Sequence, residues 1–176
     1  MTPLSLPNNK VVRTYISQGE FAIEKGPDAV ISTLLGSCVS ACLWDDLSEI
    51  GGMNHVLFCD DTQNAEEVFG HGVNGMELLI NGMIHMGARR NNMKAKVFGG
   101  AQMIAGLSDA GVRNGEFVIN FLKKENIPYV GGDLGGNKAR RLDFWPGTGC
   151  VRQKMVARDL PLIKHGMVKR NDVELF

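Results

Sequence analysis

Apolar and polar positions follow two different periods along this chain. Alternation every second residue predicts β-strands, and apolar residues recurring at steps of three and four predict helices. The predicted strands are residues 20–25, 29–35, 39–44, 53–58, 95–98, 127–130, 141–145 and 150–155. One predicted helix runs over 73–84 and ends at Gly87, and a second begins at Asn114 and carries 117–122 on its apolar side. This set predicts an α+β or mixed α/β domain with two main helices packed on one side of its sheets.

The pattern also predicts how the chain is organised. The first residues hold prolines and an Asn-Asn pair without a periodic apolar face, so we expect a flexible lead-in over 1–16. Residues 17–155 carry the regular patterns and are expected to form one domain. A C-terminal extension over 156–176 is expected to pack on or near that domain. With 176 residues and 44% hydrophobic content, a single domain buries enough apolar surface to fold alone.

Charge and composition narrow the class of protein. Lys plus Arg equals Asp plus Glu at 19 each, so there is no long-range field to gather nucleic acid, and we expect no nucleic-acid partner. The N-terminus lacks the basic start and apolar core of a signal peptide, and no run of about 18 apolar residues occurs. We therefore expect a cytoplasmic protein without membrane insertion, in which most of the four cysteines are reduced thiols.

The hairpin predicted at 39–58 carries the candidate chemistry. If its turn is centred between Asp46 and Leu47, opposed residues have numbers that sum to 93, and Cys38 lies opposite His55. Opposed Cβ atoms lie about 4.5–5.5 Å apart, which lets the two side chains interact. A free cysteine is mostly protonated at neutral pH, so a neighbouring base is what makes it a nucleophile. Cys38 and His55 are therefore predicted to be a nucleophile and its general base.

The residues before Cys38 predict a site for an oxyanion. Gly36 and Ser37 permit a sharp turn that exposes backbone N–H groups, which would stabilise the charge formed when a thiolate attacks a carbonyl. This arrangement suits acyl transfer: proteolysis, amide hydrolysis or transamidation. A third group is needed to orient the imidazole, and Ser32, Thr33 and Asn54 are the candidates.

Two other interpretations compete with catalysis. A buried cysteine in a strand most often serves packing alone. A zinc site would use the ligands Cys38, Cys42, His55 and Cys59. However, four residues of strand span about 13 Å at about 3.3 Å each, too far for two thiolates on one zinc ion. We therefore expect no metal and no cofactor.

The ordered motifs resemble one family. They are Thr33-Leu34-Leu35-Gly36-Ser37-Cys38-Val39, Gly52-Met53-Asn54-His55, Phe98-Gly99-Gly100-Ala101 and the segment from Gly135-Gly136-Asn137 to Arg141. In order and spacing they resemble the chemoreceptor glutamine deamidase family CheD, over roughly residues 19–154. The resemblance implies a three-layer αββ sandwich and an amidohydrolase that converts glutamine side chains of methyl-accepting chemotaxis proteins to glutamate and ammonia.

The resemblance also implies roles for residues. It maps the nucleophile onto Cys38 and the histidine onto His55, and it maps a hydroxyl that orients the histidine, six positions before the cysteine, onto Ser32, with Thr33 next to it. The implied substrate is the cytoplasmic helical domain of a chemoreceptor, and the phosphatase CheC is an implied partner. The alternative is a regulatory module that binds CheC or receptors with little or no catalysis. A thiol protease is a third interpretation.

Overall fold

Over the residues that the structure describes, the fold is built from two stacked sheets and two helices. In a computed structural model the protein is described over residues 11–57, 65–103, 109–157 and 173–176. The strands are β1 (Val12–Tyr15), β2 (Phe21–Lys25), β3 (Ala29–Leu35), β4 (Val39–Asp45), β5 (Ile50–Asn54), β6 (Lys94–Gly99), β7 (Tyr129–Leu134), β8 (Ala139–Trp145), β9 (Cys150–Val156) and β10 (Val173–Leu175). The helices are α1 (Ala65–His85) and α2 (Ala110–Lys124), and a short 3₁₀ turn spans Arg90–Asn92.

The strands divide equally between the two sheets. The first sheet has the order β1-β3-β8-β9-β10, and the second has the order β2-β5-β4-β6-β7. Neighbours are antiparallel except β1 with β3 and β6 with β7, which are parallel. The second parallel pair is joined through α2, as a parallel connection needs a crossover element. Strands β3 and β4, which flank Cys38, lie in different sheets.

Two hydrophobic cores fix the layer order. The core between the helices and the second sheet is formed by Val39, Ala41, Leu43, Val97, Met76, Leu79, Met83, Val118 and Leu122, with neighbouring apolar residues. The core between the two sheets is formed by Ile31, Leu35, Cys38, Cys42, Trp44, Met53, Phe98, Leu142, Phe144 and Val151, with neighbouring apolar residues. Helices, second sheet and first sheet are thus three layers, and the predicted αββ fold is confirmed.

The two ends of the chain differ from expectation in part. Residues 1–10 of the predicted lead-in lie outside the described residues, but 12–15 form strand β1, which pairs in parallel with β3 from Val12 opposite Ala29. The expectation of flexibility is therefore wrong for these four residues. In the C-terminal extension, β10 pairs antiparallel with β9, and residues 158–172 lie outside the described residues.

The helix predicted to begin at Asn114 begins earlier. Helix α2 starts at Ala110, with Asp109 at the position before it. Asn114 is therefore inside the helix, and it is completely buried. A polar side chain buried within a helix needs a hydrogen-bond partner elsewhere in the fold.

The hairpin register is offset by two from the predicted one. Cys42 pairs with Met53, and Val39 bridges Val56, so opposed residue numbers sum to 95 rather than 93. The cause is a longer turn, since β5 begins with Ile50 opposite Asp45 and leaves four residues between them. The Asp45 carboxylate holds this turn by accepting the N–H groups of Leu47 and Ser48 at 3.0 and 3.4 Å. Cys38 and His55 are therefore diagonal neighbours instead of directly opposed.

Candidate active site

An offset of two residues leaves Cys38 and His55 on the same face of the hairpin, because side chains alternate between faces with a period of two. Cys38 belongs to the core between the sheets, and His55 reaches toward the first sheet from the same side. Both residues are buried, with 8% and 6% of their surfaces exposed. The structure therefore places the predicted nucleophile and base in one region between the sheets.

His55 is anchored through its backbone. Its N–H donates to the Glu20 carbonyl at 2.9 Å, and its carbonyl accepts the Gly19 N–H at 2.8 Å. These bonds tie the residue to the turn that precedes β2. The imidazole is left with few ways to move except rotation about its own side-chain bonds.

A hydroxyl fixes which nitrogen of the imidazole carries the proton. Thr33 Oγ1 lies 2.8 Å from His55 Nδ1 and donates its own hydrogen to the Ile16 carbonyl, also at 2.8 Å. A hydroxyl has one hydrogen and a carbonyl only accepts, so Thr33 must accept from His55. The assigned tautomer therefore carries its proton on Nδ1 and leaves Nε2 as the free base.

The residue predicted to orient His55 is the wrong one of two neighbours. Ser32 lies on the outer face of the first sheet, where its hydroxyl donates to Asp143 Oδ1 at 2.6 Å. Adjacent strand residues point to opposite faces, so Ser32 cannot share the side of β3 from which Thr33 meets His55. The contact expected for Ser32 is made by Thr33. Asn54, the other candidate, accepts the Ala41 N–H at 2.9 Å and lies against Met76 of α1.

The Cys38 thiol has a partner that the sequence did not indicate. Its hydrogen bond in the described part of the chain goes to Gln18 Oε1, with a sulfur–oxygen distance of 3.6 Å. Gln18 is an exposed residue of the turn before β2. Nothing in the local pattern distinguishes this glutamine from other turn residues, so only the packing of the turn against Cys38 reveals it.

Burial sets the resting charges of the pair. Burial raises the pKa of the Cys38 thiol above its ordinary value, although the residue's own backbone N–H opposes the shift. Burial also lowers the pKa of His55 below its ordinary value, opposed by the charge of Glu20. Both shifts favour the neutral forms, so at neutral pH the resting pair is a thiol and an uncharged imidazole.

The turn before Cys38 presents backbone donors. The Gly36 carbonyl accepts the Ala101 N–H at 3.0 Å, and the Cys38 carbonyl accepts the Gly100 N–H at 2.8 Å. Within the described residues, the N–H groups of Ser37 and Cys38 donate to no other residue's backbone carbonyl. No backbone carbonyl of the described residues occupies these two N–H groups, and the oxyanion site expected at the Gly36-Ser37 turn stays a prediction.

The zinc interpretation used Cys38, Cys42, His55 and Cys59 as ligands. The described residues contain no cluster of three or more His, Cys, Asp or Glu side chains that would hold an ion, and Cys59 lies outside them. Cys42 is buried between the sheets, where burial strongly raises its pKa and keeps it a thiol. No helix in the described segments is both long enough and apolar enough to cross a membrane.

Comparisons of the sequence with known proteins agree on one family. The profile of the family described as CheD chemotactic sensory transduction matches residues 59–155, a range that excludes both Cys38 and His55. A probable chemoreceptor glutamine deamidase CheD of Caulobacter sp. (strain K31) is 45% identical over 84% of this chain and 80% of its own. The equally named protein of Acidiphilium cryptum is 44% identical over 93% of this chain and 88% of its own.

A third relative of the same name, from Agrobacterium fabrum, is 42% identical over 93% of this chain and 96% of its own length. Among solved structures, the Neisseria meningitidis protein NMB0706 aligns with 72% of this chain and 64% of its own, with a TM-score of 0.43 and 11% identity. That structural likeness is too distant to carry a functional argument. The sequence matches, which extend over most of the chain, show that it belongs to the CheD family.

Proposed function

We propose that this protein is a chemoreceptor glutamine deamidase that hydrolyses glutamine side chains through Cys38 and His55. The observation that carries the proposal is the chain of contacts from Ile16 through Thr33 to His55, which places the proton on Nδ1 and leaves Nε2 as the free base. His55 and Cys38 lie on the same face of the hairpin. The relatives are named probable chemoreceptor glutamine deamidases, and this name supplies the reaction and the substrate class.

The first half of the reaction forms an acyl-enzyme. His55 Nε2 takes the Cys38 proton as the sulfur attacks the substrate carboxamide carbon, and the carbonyl electrons move to oxygen. The N–H groups of Ser37 and Cys38 stabilise that oxyanion. When the tetrahedral intermediate collapses, the C–N bond breaks, and the His55 proton goes to the departing nitrogen. Ammonia leaves and a thioester remains on Cys38.

The second half regenerates the enzyme. Water gives a proton to His55 Nε2 and attacks the thioester carbonyl, the carbon–sulfur bond breaks, and the proton returns to Cys38. The product is a glutamate side chain. Throughout, Thr33 holds Nδ1 protonated and stabilises the imidazolium that forms in each half-reaction, because its oxygen is available only as an acceptor.

Gln18 occupies the approach to the sulfur in the resting protein. Its carboxamide contacts the thiol that a substrate carboxamide has to reach, and only 8% of Cys38 is exposed. A substrate glutamine therefore displaces this side chain before it reacts. The substrate is the cytoplasmic helical domain of a chemoreceptor, and CheC is the partner that the family resemblance implies.

Mass spectrometry of a purified receptor cytoplasmic fragment, with and without this protein, tests the reaction. Deamidation adds about one dalton at individual glutamines, because OH replaces NH₂. Binding of the fragment without any mass change would favour the regulatory module instead, and cleavage of the fragment would favour a thiol protease. Either result would contradict the proposed function.

A further inference from the structure

The turn that carries Cys38 is held by its carbonyl groups. Those of Gly36 and Cys38 accept the N–H groups of Ala101 and Gly100. The carbonyl between them, that of Ser37, accepts a hydrogen bond from Asn114 Nδ2 at 3.1 Å. Three successive peptide carbonyls are thus fixed by residues outside the turn.

A fixed carbonyl also fixes the amide that follows it. The C=O of one residue and the N–H of the next lie in one plane and point in opposite directions, because the peptide bond is planar and trans. The bond from Asn114 to the Ser37 carbonyl therefore sets the direction of the Cys38 N–H. That N–H faces the Cys38 sulfur, since it lowers the pKa of the thiol.

Asn114 is itself held rigidly. Its side chain is completely buried. Asn114 lies four residues after Ala110, the first residue of α2. One turn earlier, Gly111 packs directly on the backbone of Gly100, where an added Cβ would collide with the Gly100 carbonyl oxygen. The start of α2 and the residues that hold the nucleophile turn are therefore in backbone contact. Asn114 reaches the Ser37 carbonyl from this fixed base.

We infer that Asn114 is a positioning residue of the oxyanion site, which aims the Cys38 N–H by holding the Ser37 carbonyl. The inference rests on the proposed function, because it assigns the aimed N–H to the oxyanion of an attacked carboxamide. The oxyanion exists only during reaction, so Asn114 contributes to transition-state stabilisation and little to substrate binding.

The test compares two reactions of Cys38 in the full chain. Hydrolysis of receptor glutamine passes through an oxyanion, whereas alkylation by iodoacetamide displaces iodide and forms none. Asn114→Leu keeps a side chain of similar size without the amide donor. Asn120→Leu, at an exposed position of the same helix, is the matched control. Peptide mapping measures the alkylation of Cys38 separately from that of the other cysteines.

The expected result is a split between the two reactions. In Asn114→Leu, kcat for deamidation falls about tenfold to a hundredfold, less than the hundredfold to thousandfold that loss of an oxyanion donor itself costs. KM and the alkylation rate of Cys38 stay within about threefold of wild type. Asn120→Leu resembles wild type in all three quantities. Circular dichroism establishes that each variant is folded.

Other outcomes overturn the inference. An unchanged kcat in folded Asn114→Leu contradicts it, and so does an equal fall in kcat and alkylation, which indicates that the whole turn has been disturbed. If Asn114→Leu does not fold, Asn114→Ala, which adds no bulk, is judged by the same criteria. If wild type deamidates the fragment and the Asn114 variants do so at the same rate, the role of Asn114 is refuted and the proposed function stands. Absence of turnover by wild type refutes the proposed function and the inference together.

Discussion

Thr33 Oγ1 lies 2.8 Å from His55 Nδ1, while the hydroxyl of the adjacent Ser32 faces the opposite side of the sheet and binds Asp143. Two neighbouring hydroxyls therefore have separate tasks. One belongs to the candidate active site, and the other supports the outer face of the first sheet.

Substitutions at Thr33 and Ser32 distinguish the roles of the two hydroxyls. Thr33→Val keeps the branched shape but removes the acceptor for Nδ1–H, and we expect kcat/KM for deamidation to fall about tenfold to a hundredfold, part of the total that a general base contributes. Thr33→Ser keeps the hydroxyl and most of the activity. Ser32→Ala loses two hydrogen bonds, one to Asp143 and one from Arg13. It should lower the unfolding free energy by about 1–3 kcal/mol, with activity unchanged. Steady-state kinetics and denaturant unfolding measure both effects, and a loss of activity in Ser32→Ala alone would reverse the assignment.

The pH profile reports the charge of His55. Protonated His55 cannot accept the Cys38 proton, so kcat/KM rises with pH through the pKa of His55, and burial places that midpoint below 6.5. The Cys38 pKa is raised above 9.0, so the thiol remains protonated through the neutral range. We therefore expect a broad plateau between the two limbs.

Glu20 offers a matched variant for this profile. Its negative charge raises the pKa of His55 against the effect of burial. Glu20→Gln removes that charge, so the acid limb moves to lower pH while the plateau rate is kept. An acid limb that lies above pH 6.5 in wild type would show that burial does not lower the pKa of His55, and it would contradict this account.

The contact of Gln18 with the thiol predicts a change in access. Gln18→Ala removes the carboxamide that lies 3.6 Å from Cys38 Sγ, so iodoacetamide should alkylate Cys38 a few fold faster at the same pH. The exposed position of Gln18 predicts little change in thermal stability. Peptide mapping at a series of times measures the rate at which Cys38 is alkylated. A slower reaction would show that Gln18 activates the sulfur instead of covering it.

Asp143 predicts an effect on stability without one on chemistry. Burial would raise the pKa of its carboxyl, but hydrogen bonds from Ser32 and Arg152 and the charge of Arg13 hold it below 3.8. A carboxyl with a depressed folded pKa stabilises the protein above its unfolded pKa, and this contribution is lost as pH falls through the folded value. Asp143→Asn should therefore lower the unfolding free energy by about 1–3 kcal/mol at neutral pH.

The difference between Asp143→Asn and wild type should shrink as pH falls below 3.8. Denaturant unfolding at a series of pH values measures it, and the Cys38 alkylation rate of the variant serves as the control. A difference that stays constant into acid would show that the carboxylate charge contributes nothing to this network.

Sequence patterns predicted the strands around the site and the face they share. They did not predict the register, because the Asp45 side chain stabilises a four-residue turn whose length the polar cluster does not define. Cys38 and His55 still lie on the same face of the hairpin, since an offset of two preserves the face. An offset of one would have separated them.

Other features depend on tertiary contacts. Ser32 and Thr33 are chemically alike, and only the packing of β3 between β1 and β8 decides which one faces the second sheet. Strand β1 was missed because it is short and its Val12 is 59% exposed, so no alternation marks it. The sequence predicted Asn114 to be an N-cap because asparagine is common at helix N-caps. In the structure its side chain instead donates to the distant Ser37 carbonyl.

Ammonia release from a receptor cytoplasmic fragment is the most direct measurement of the central claim, that Cys38 and His55 together hydrolyse a glutamine side chain. The account predicts turnover by wild type and a loss of about a thousandfold or more in both Cys38→Ala and His55→Ala, with the circular dichroism of each variant unchanged. Near-wild-type ammonia release by either folded variant would contradict it.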